Sequence, residues 1–192
     1  MRITGGLARG IILDVPKKGE VRPATDFVRE RIFGRLATAI QNACVLDCFA
    51  GTGAYGLEAL SRGAQHVCFL EKDPQVVSIL RTNCEKVCKS LQKDASSAVK
   101  IFSADAFQFD FARLDLPIHY IFLDPPYRFW EEGRTEMLRL LGKLAQAFPE
   151  SRLVIEHPSQ FTWNEPIPWA PIYPPQARKK KNVPEINVFR RR

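Results

Sequence analysis

Two stretches of this chain hold residue types that could do chemistry together. The first is Asp124-Pro125-Pro126-Tyr127, which ends the apolar run IHYIFL (118–123). Consecutive prolines force an extended, rigid turn that offers no N–H donors. Such a turn can present the Asp124 carboxylate and the Pro125 carbonyl as neighbouring acceptors. The exocyclic amino group of a base has two N–H bonds to give them. Its lone pair is normally delocalised into the ring. Two acceptors draw the hydrogens out of conjugation and direct the lone pair at an electrophile. Tyr127 offers a face for the base to stack on, worth about 1–3 kcal/mol. The implied chemistry is in-line methyl transfer from sulfur to nitrogen, driven by positioning and electrostatics. The competing reading is a structural Pro-Pro turn with a core tyrosine. No Pro-Cys dipeptide occurs, which argues against a cytosine-carbon methylase with a thiol nucleophile.

The second stretch is DCFAGTGAYG (47–56), whose last six residues fit the dinucleotide pattern G-x-G-x-x-G. Glycines let backbone approach a ligand, and the following helix start offers free N–H groups. That pattern alone is a weak signal, and it suits NAD. Glu71, 18 residues past Gly53, also suits a ribose hydroxyl. Asp47 points elsewhere, because a carboxylate there would repel a pyrophosphate. S-adenosyl-L-methionine carries an ammonium and a sulfonium and no phosphate. Asp105 could accept from an adenine amino group, with the Ala106 N–H on a ring nitrogen. Each carboxylate alone is ordinary; their occurrence at successive strand ends favours a nucleoside cofactor.

The elements that must position these residues follow from periodicity. Residues 2–14 read as a hairpin around Gly5-Gly6 and Arg9-Gly10. Thr25 can cap a helix running to about Ile40, with Val28, Ile32, Phe33, Leu36, Ala37 and Ile40 as its apolar stripe. Strands at 44–49, 66–71, 99–104, 118–124 and 152–157 then alternate with helices after Gly53, from Asp73 to about Leu91, and near 131–147. Strand-like pieces near 172–181 and 185–190 close the chain. Repeated β-α-β units with continuous apolar strands imply a mostly parallel sheet covered on both faces. Ligands of such sheets bind at the carboxyl ends of the strands, where strand order reverses. A single domain over 1–192 is expected, with a hairpin-and-helix extension (1–43) before a catalytic core (44–192).

Charge adds a partner class. The net charge is +7, and Arg178–Lys181 with Arg190–Arg192 supply seven basic residues; without them 21 basic face 21 acidic residues. Residues 1–35 hold eight basic against four acidic residues. Both ends suit a polyanion such as nucleic acid, or else are solvated tails. The five cysteines include no C-x-x-C pair, so buried free thiols and no metal site are expected. No apolar run is long enough to span a membrane and no secretory signal is evident, so a cytoplasmic protein is expected.

DCFAGTGAYG, FLEKD, ADAF and LDPPY in this order resemble the class I methyltransferases that act on exocyclic nitrogens. MRITGGLARG, RPATDFVRERIF (22–33) and LEALSRGA (57–64) narrow the resemblance to the RsmD family, over residues 1 to about 157. The resemblance implies a Rossmann-like α/β fold with a seven-stranded, mostly parallel sheet. It also implies S-adenosylmethionine-dependent methylation of a guanine N2 amino group in 16S ribosomal RNA, on the small subunit or an assembly intermediate, by a monomer. Asp47, Phe49, Gly51, Gly53, Glu71, Lys72, Asp105, Ala106 and Thr25 would hold the cofactor. Asp124, Pro125 and Tyr127 would hold the guanine, and Arg2, Arg9 and Arg22 would contact RNA phosphates. The chain departs from the family pattern at Ala24, at Ala104 and in RKKKNVPEINVF, which replaces a Tyr-Gly pair before the last strand. Alternatives from the residues themselves are a DNA adenine-N6 or protein glutamine-N5 methylase, an NAD-binding oxidoreductase, or a non-catalytic RNA-binding protein.

Overall fold

The computed structural model describes residues 1–16, 26–162, 166–173 and 184–192. Seven strands form one sheet: β1 (Cys44–Asp47), β2 (His66–Glu71), β3 (Val99–Ser103), β4 (Tyr120–Leu123), β5 (Arg152–His157), β6 (Trp169–Pro171) and β7 (Glu185–Arg191). Their spatial order is β3-β2-β1-β4-β5-β7-β6. The first five pair in parallel, and β7 runs antiparallel to both β5 and β6. Strand order reverses at β1, whose neighbours are β2 on one side and β4 on the other. The crevice beyond the carboxyl ends of β1 and β4 is therefore the ligand position of a doubly wound sheet.

Burial explains why the central strands read as unbroken apolar runs. All four residues of β1 and of β4 are buried. One face packs against α1 (Asp26–Leu36), α2 (Ala54–Ser61) and α3 (Pro74–Ser90) through residues such as Val28, Leu57, Leu80 and Val87. The other packs against α6 (Arg134–Ala147), through Met137, Leu140, Leu141 and Leu144, and against the 102–118 connection. Two four-residue helices, α4 (Ala95–Ala98) and α5 (Arg128–Glu131), complete the set. Asp73 caps α3 by accepting from the Gln75 and Val76 N–H groups, with Pro74 as the first helical residue, which matches the expected start.

Three element expectations need correction. The first helix ends at Leu36, and a 3-10 turn carries the chain to Ile40. Ala37 takes a positive φ of 45° there, so it breaks the helical stripe and is exposed. Strand β4 begins at Tyr120 and stops at Leu123, which leaves Asp124 in the turn. The strand before the last is Trp169–Pro171, earlier than the 172–181 expected, and residues 174–183 lie outside the described residues. Thr25 and Arg22, expected in the cofactor and RNA sites, and the Arg178–Lys181 run also lie outside them.

The N-terminal hairpin is reduced to one bridge, Arg2 with Ile12. Its loop instead grips the end of α2. The Leu7 N–H donates to the Ser61 carbonyl (2.8 Å), the Ala8 N–H to Ser61 Oγ (2.9 Å), and Ser61 Oγ–H to the Gly5 carbonyl (2.6 Å). Gly6 has φ +78°, and a Cβ there would lie 2.0 Å from the Ser61 carbonyl oxygen. Gly6→Ala is therefore expected to cost about 2–4 kcal/mol, read as a lower urea midpoint. This docking explains why GGLARG and LEALSRGA occur together: each is the other's packing partner.

Candidate active site

The glycine loop leaves β1 and turns into α2. Gly53, with φ 93°, ends it; a Cβ there would sit 2.7 Å from Leu80 and 2.8 Å from Leu57, so only glycine allows α2 and α3 to close on the turn. The Gly51 N–H donates to Glu71 Oε2 and the Asp73 N–H to Glu71 Oε1, both at 2.9 Å. Glu71 thus ties the loop to β2 while its carboxylate keeps further acceptor capacity at the rim.

Asp47, at the end of β1, is 1% exposed and lies beneath the loop, with Oδ2 accepting the Gly56 N–H at 3.0 Å. Its Oδ1 is buried and has no hydrogen-bond partner among the described residues. Burial pushes its carboxyl up to about 7, against the pull of the Gly56 N–H; the Glu71 charge adds to the rise, and the Phe49 N–H opposes it. A folded-state value above the unfolded one means that stability is greatest with the group protonated. That contribution is complete below about pH 4 and is lost as pH rises through 7. Asp47→Asn, neutral throughout, is expected to exceed the parent in stability at pH 8 by up to about 4 kcal/mol, and not at pH 4. Urea titrations at the two pH values check this.

Strand β3 delivers Asp105 and Ala106 to the same edge. Asp105 Oδ1 accepts from the Phe107 N–H (3.0 Å) and Oδ2 pairs with Lys72 Nζ (3.6 Å). The Ala106 N–H donates to no protein acceptor among the described residues. Phe49, Phe107 and Phe129 cluster over this edge, with ring centroids 5.5 Å apart for Phe49–Phe107, 4.8 Å for Phe107–Phe129 and 6.4 Å for Phe49–Phe129. The Lys72 ammonium sits 6.0 Å from the Phe129 centroid. The sequence reading missed Phe107 and Phe129. Their positions, two residues past Asp105 and two past Tyr127, were the available signal.

The DPPY turn follows β4, and Tyr127 packs partly buried at the edge of the α6-side core. Asp124 makes no hydrogen bond, and the Pro125 carbonyl accepts none, among the described residues. The Pro126 and Tyr127 carbonyls, by contrast, accept from Phe129 and Trp130 (3.0 and 2.9 Å) and start α5. Two unengaged acceptors therefore stand beside the glycine turn, as a clamp for an amine requires. Asp124 is partly open to solvent, yet burial, then the charges of Glu156 and Asp47, raise its carboxyl well above the usual range.

Glu156 was not foreseen. It is the last residue but one of β5, beside the DPPY turn, is 6% exposed, and accepts a short hydrogen bond from the Tyr55 hydroxyl through Oε2. Burial raises its carboxyl, while the Tyr55 hydroxyl and the Arg29 guanidinium oppose the rise.

The basic residues of the two chain ends that are described do not form one face. Arg9 is exposed on the N-terminal loop, and Arg2, 67% exposed, pairs with Asp26 at 3.3 Å. Arg190 lies opposite Arg152 at the start of β5. Arg190–Arg192 thus line a 360 Å³ cleft with Pro149–Arg152, on the sheet edge away from the DPPY turn. No helix among the described residues is long and apolar enough to cross a membrane. All five cysteines are buried free thiols; burial pushes Cys68 up to about 11.

A family model described as "Conserved hypothetical protein 95" matches residues 1–182. The chain belongs to this family. It is the RsmD type that the sequence motifs resemble. The chain is similar to "Ribosomal RNA small subunit methyltransferase D" of Escherichia coli, 40% identical over 128 residues, covering 67% of this chain and 61% of that protein. It is also similar to "Putative rRNA methyltransferase YlbH" of Bacillus subtilis, 31% identical over 157 residues and covering 82% of each chain. The aligned part of this chain therefore spans about three-fifths of the E. coli relative. Among solved structures, "Putative methyltransferase yhhF" from E. coli superposes with a TM-score of 0.75 at 31% identity, covering 100% of this chain and 97% of that one. The fold is the α/β, Rossmann-like fold of class I methyltransferases.

Proposed function

We propose that this protein transfers a methyl group from S-adenosyl-L-methionine to the exocyclic N2 amino group of a guanine in 16S ribosomal RNA, in the small subunit or an assembly intermediate. The observation that carries the reading is the pair of unengaged acceptors, the Asp124 carboxylate and the Pro125 carbonyl, beside the glycine turn. The names of the E. coli and B. subtilis relatives support an RNA substrate.

The residues at the strand ends fit the cofactor. The free Ala106 N–H and the Asp105 carboxylate suit an adenine edge, and the Phe49, Phe107 and Phe129 rings give it an apolar wall. Glu71 retains lone pairs for ribose hydroxyls. Asp47 Oδ1 has no hydrogen-bond partner among the described residues, which suits a cationic methionine end. Because Asp47 is buried, the preference over a dinucleotide rests mainly on the rim carboxylates and the DPPY turn. When bound, S-adenosylmethionine supplies an electrophilic methyl group on sulfonium. The chain does the rest. Asp124 and Pro125 take the two amino hydrogens and turn the nitrogen lone pair out of conjugation. Tyr127 stacks on the base and fixes its plane. The methylated amine cation is highly acidic, so no strong base is required. Arg2, Arg9 and Arg22 are the proposed contacts for RNA phosphates, and Thr25 is a proposed contact for the cofactor. The chain acts as a monomer in the cytoplasm on this reading, with residues 1–43 as an extension of a single catalytic domain.

The test supplies labelled S-adenosylmethionine and unmethylated small subunits to the purified protein, then maps the modified base. N2-methylguanine at one position supports the reading. Label on adenine, on protein or nowhere overturns it.

A further inference from the structure

Beside the Asp124 carboxylate and the Pro125 carbonyl stands a second carboxylate, Glu156, with no role yet assigned. Leu123 of β4 pairs with Ile155 of β5, and both side chains belong to the α6-side core. Glu156, the next residue of β5, turns to the opposite face by strand alternation, and Asp124 follows Leu123 into the turn beside it. Glu156 confirms that direction, since it meets Tyr55 of α2 on that side. The two carboxylates are thus neighbours on adjacent strand ends, and the Glu156 charge raises the cost of charging Asp124. Two like charges held this close are not kept for stability.

Glu156 is also oriented. Its Oε2 is fixed by the Tyr55 hydroxyl, and Tyr55 is itself stacked on Phe122 at 5.3 Å. Oε1 accepts no hydrogen bond among the described residues, although the side chain is more than nine-tenths buried. An oriented carboxylate with one unused oxygen, beside the amine clamp, is an acceptor awaiting a donor.

We propose that Glu156, positioned by Tyr55, is the third acceptor of the target-base pocket and selects a base whose ring N–H stands beside its exocyclic amine. This rests on the function proposed above. With the two N2 hydrogens on Asp124 and Pro125, guanine still presents N1–H on the same edge. Adenine has a bare ring nitrogen beside its amine, and two lone pairs would face each other. A site built to accept a hydrogen bond rejects an analogue that lacks the donor strongly, because its own acceptor is left unpaired in the closed pocket. Glu156 would thus set guanine against adenine, a choice that the Asp124 and Pro125 pair cannot make.

The experiment compares small subunits assembled with guanine or with 2-aminopurine at the position the wild-type protein modifies. 2-Aminopurine keeps the 2-amino group and lacks N1–H. Wild-type protein is expected to prefer guanine by about 10²-fold in kcat/KM. Glu156→Gln keeps the bond to Tyr55 through its amide oxygen and turns an N–H toward the base. Its guanine rate should fall about 10²-fold, and its preference should shrink to within about 3-fold or invert. 2-Aminopurine also lacks O6, so the change of ratio in the variant is what isolates N1. Cofactor affinity measured on both proteins reports that the variant is folded. Equal wild-type rates on the two bases overturn the assignment without recourse to any variant. So does a Glu156→Gln protein that keeps the wild-type ratio. Failure of the underlying function looks different: wild-type protein would leave the guanine subunits unlabelled, which removes this assignment as well.

Discussion

Asp124→Ala is expected to lower methyl transfer by about 10³-fold while cofactor affinity stays within about 2-fold of the parent. The carboxylate is one of two acceptors in a turn whose prolines cannot supply donors or relax. Without it, one amino hydrogen has no partner and the lone pair returns to the ring. A preorganised group that acts mainly in the transition state is worth about 3–4 kcal/mol. The loss should fall on kcat, since the base still stacks on Tyr127 and its RNA still docks elsewhere. Asp124→Asn keeps one acceptor oxygen and should lose only about 10-fold. The checks are single-turnover kinetics for the chemical step and calorimetry for the cofactor. Near-normal turnover of the alanine variant would remove Asp124 from the catalytic machinery.

Glu58→Ala is expected to cost about 3–5 kcal/mol, a large share of a typical domain's 5–15 kcal/mol. Glu58 is fully buried, and so is Arg29, whose Nε lies 3.9 Å from Glu58 Oε2. Glu58 accepts from the Thr4 N–H, from Thr4 Oγ1 and from Arg62 Nε, each at 2.8 Å. Removing it deprives the Thr4 N–H and hydroxyl of their acceptor and leaves the buried Arg29 charge less compensated. Arg29 keeps Asp26 Oδ1 and the Arg2 carbonyl, both at 2.7 Å, which limits the loss. Glu58→Gln retains acceptor geometry and should cost about half as much. Urea unfolding of the two variants beside the parent measures both. A midpoint for Glu58→Ala equal to the parent's would show that the N-terminal loop is held by its apolar contacts alone.

The two predictions share one network. Arg29 reaches Asp26, Arg2 and Glu58, and its charge also lowers the carboxyl of Glu156. The N-terminal loop, α1 and α2 are therefore coupled to the strand ends through buried charge. The short motifs near the start of the chain serve this coupling as much as any contact with RNA.

Local chemistry was legible in the sequence. The strands at 66–71 and 152–157 follow from unbroken apolar runs between turn residues, and α3 from its stripe and its Asp73-Pro74 start. The glycine turn and the proline turn are stereochemical consequences of a few adjacent residues. The rigid turn that carries Asp124 and Pro125 is thus legible in the sequence. Tertiary structure alone decided the rest. Tyr55 and Glu156 are 101 residues apart, and Thr4 and Glu58 are 54. Nothing in their neighbours in sequence marks them as partners. It also buried Asp47, because α2 closes over it through the Gly56 N–H. Backbone preference and apolar period act over a few residues, so sequence displays them. The pairing of distant polar groups depends on which strands become neighbours, and only the packed sheet fixes that.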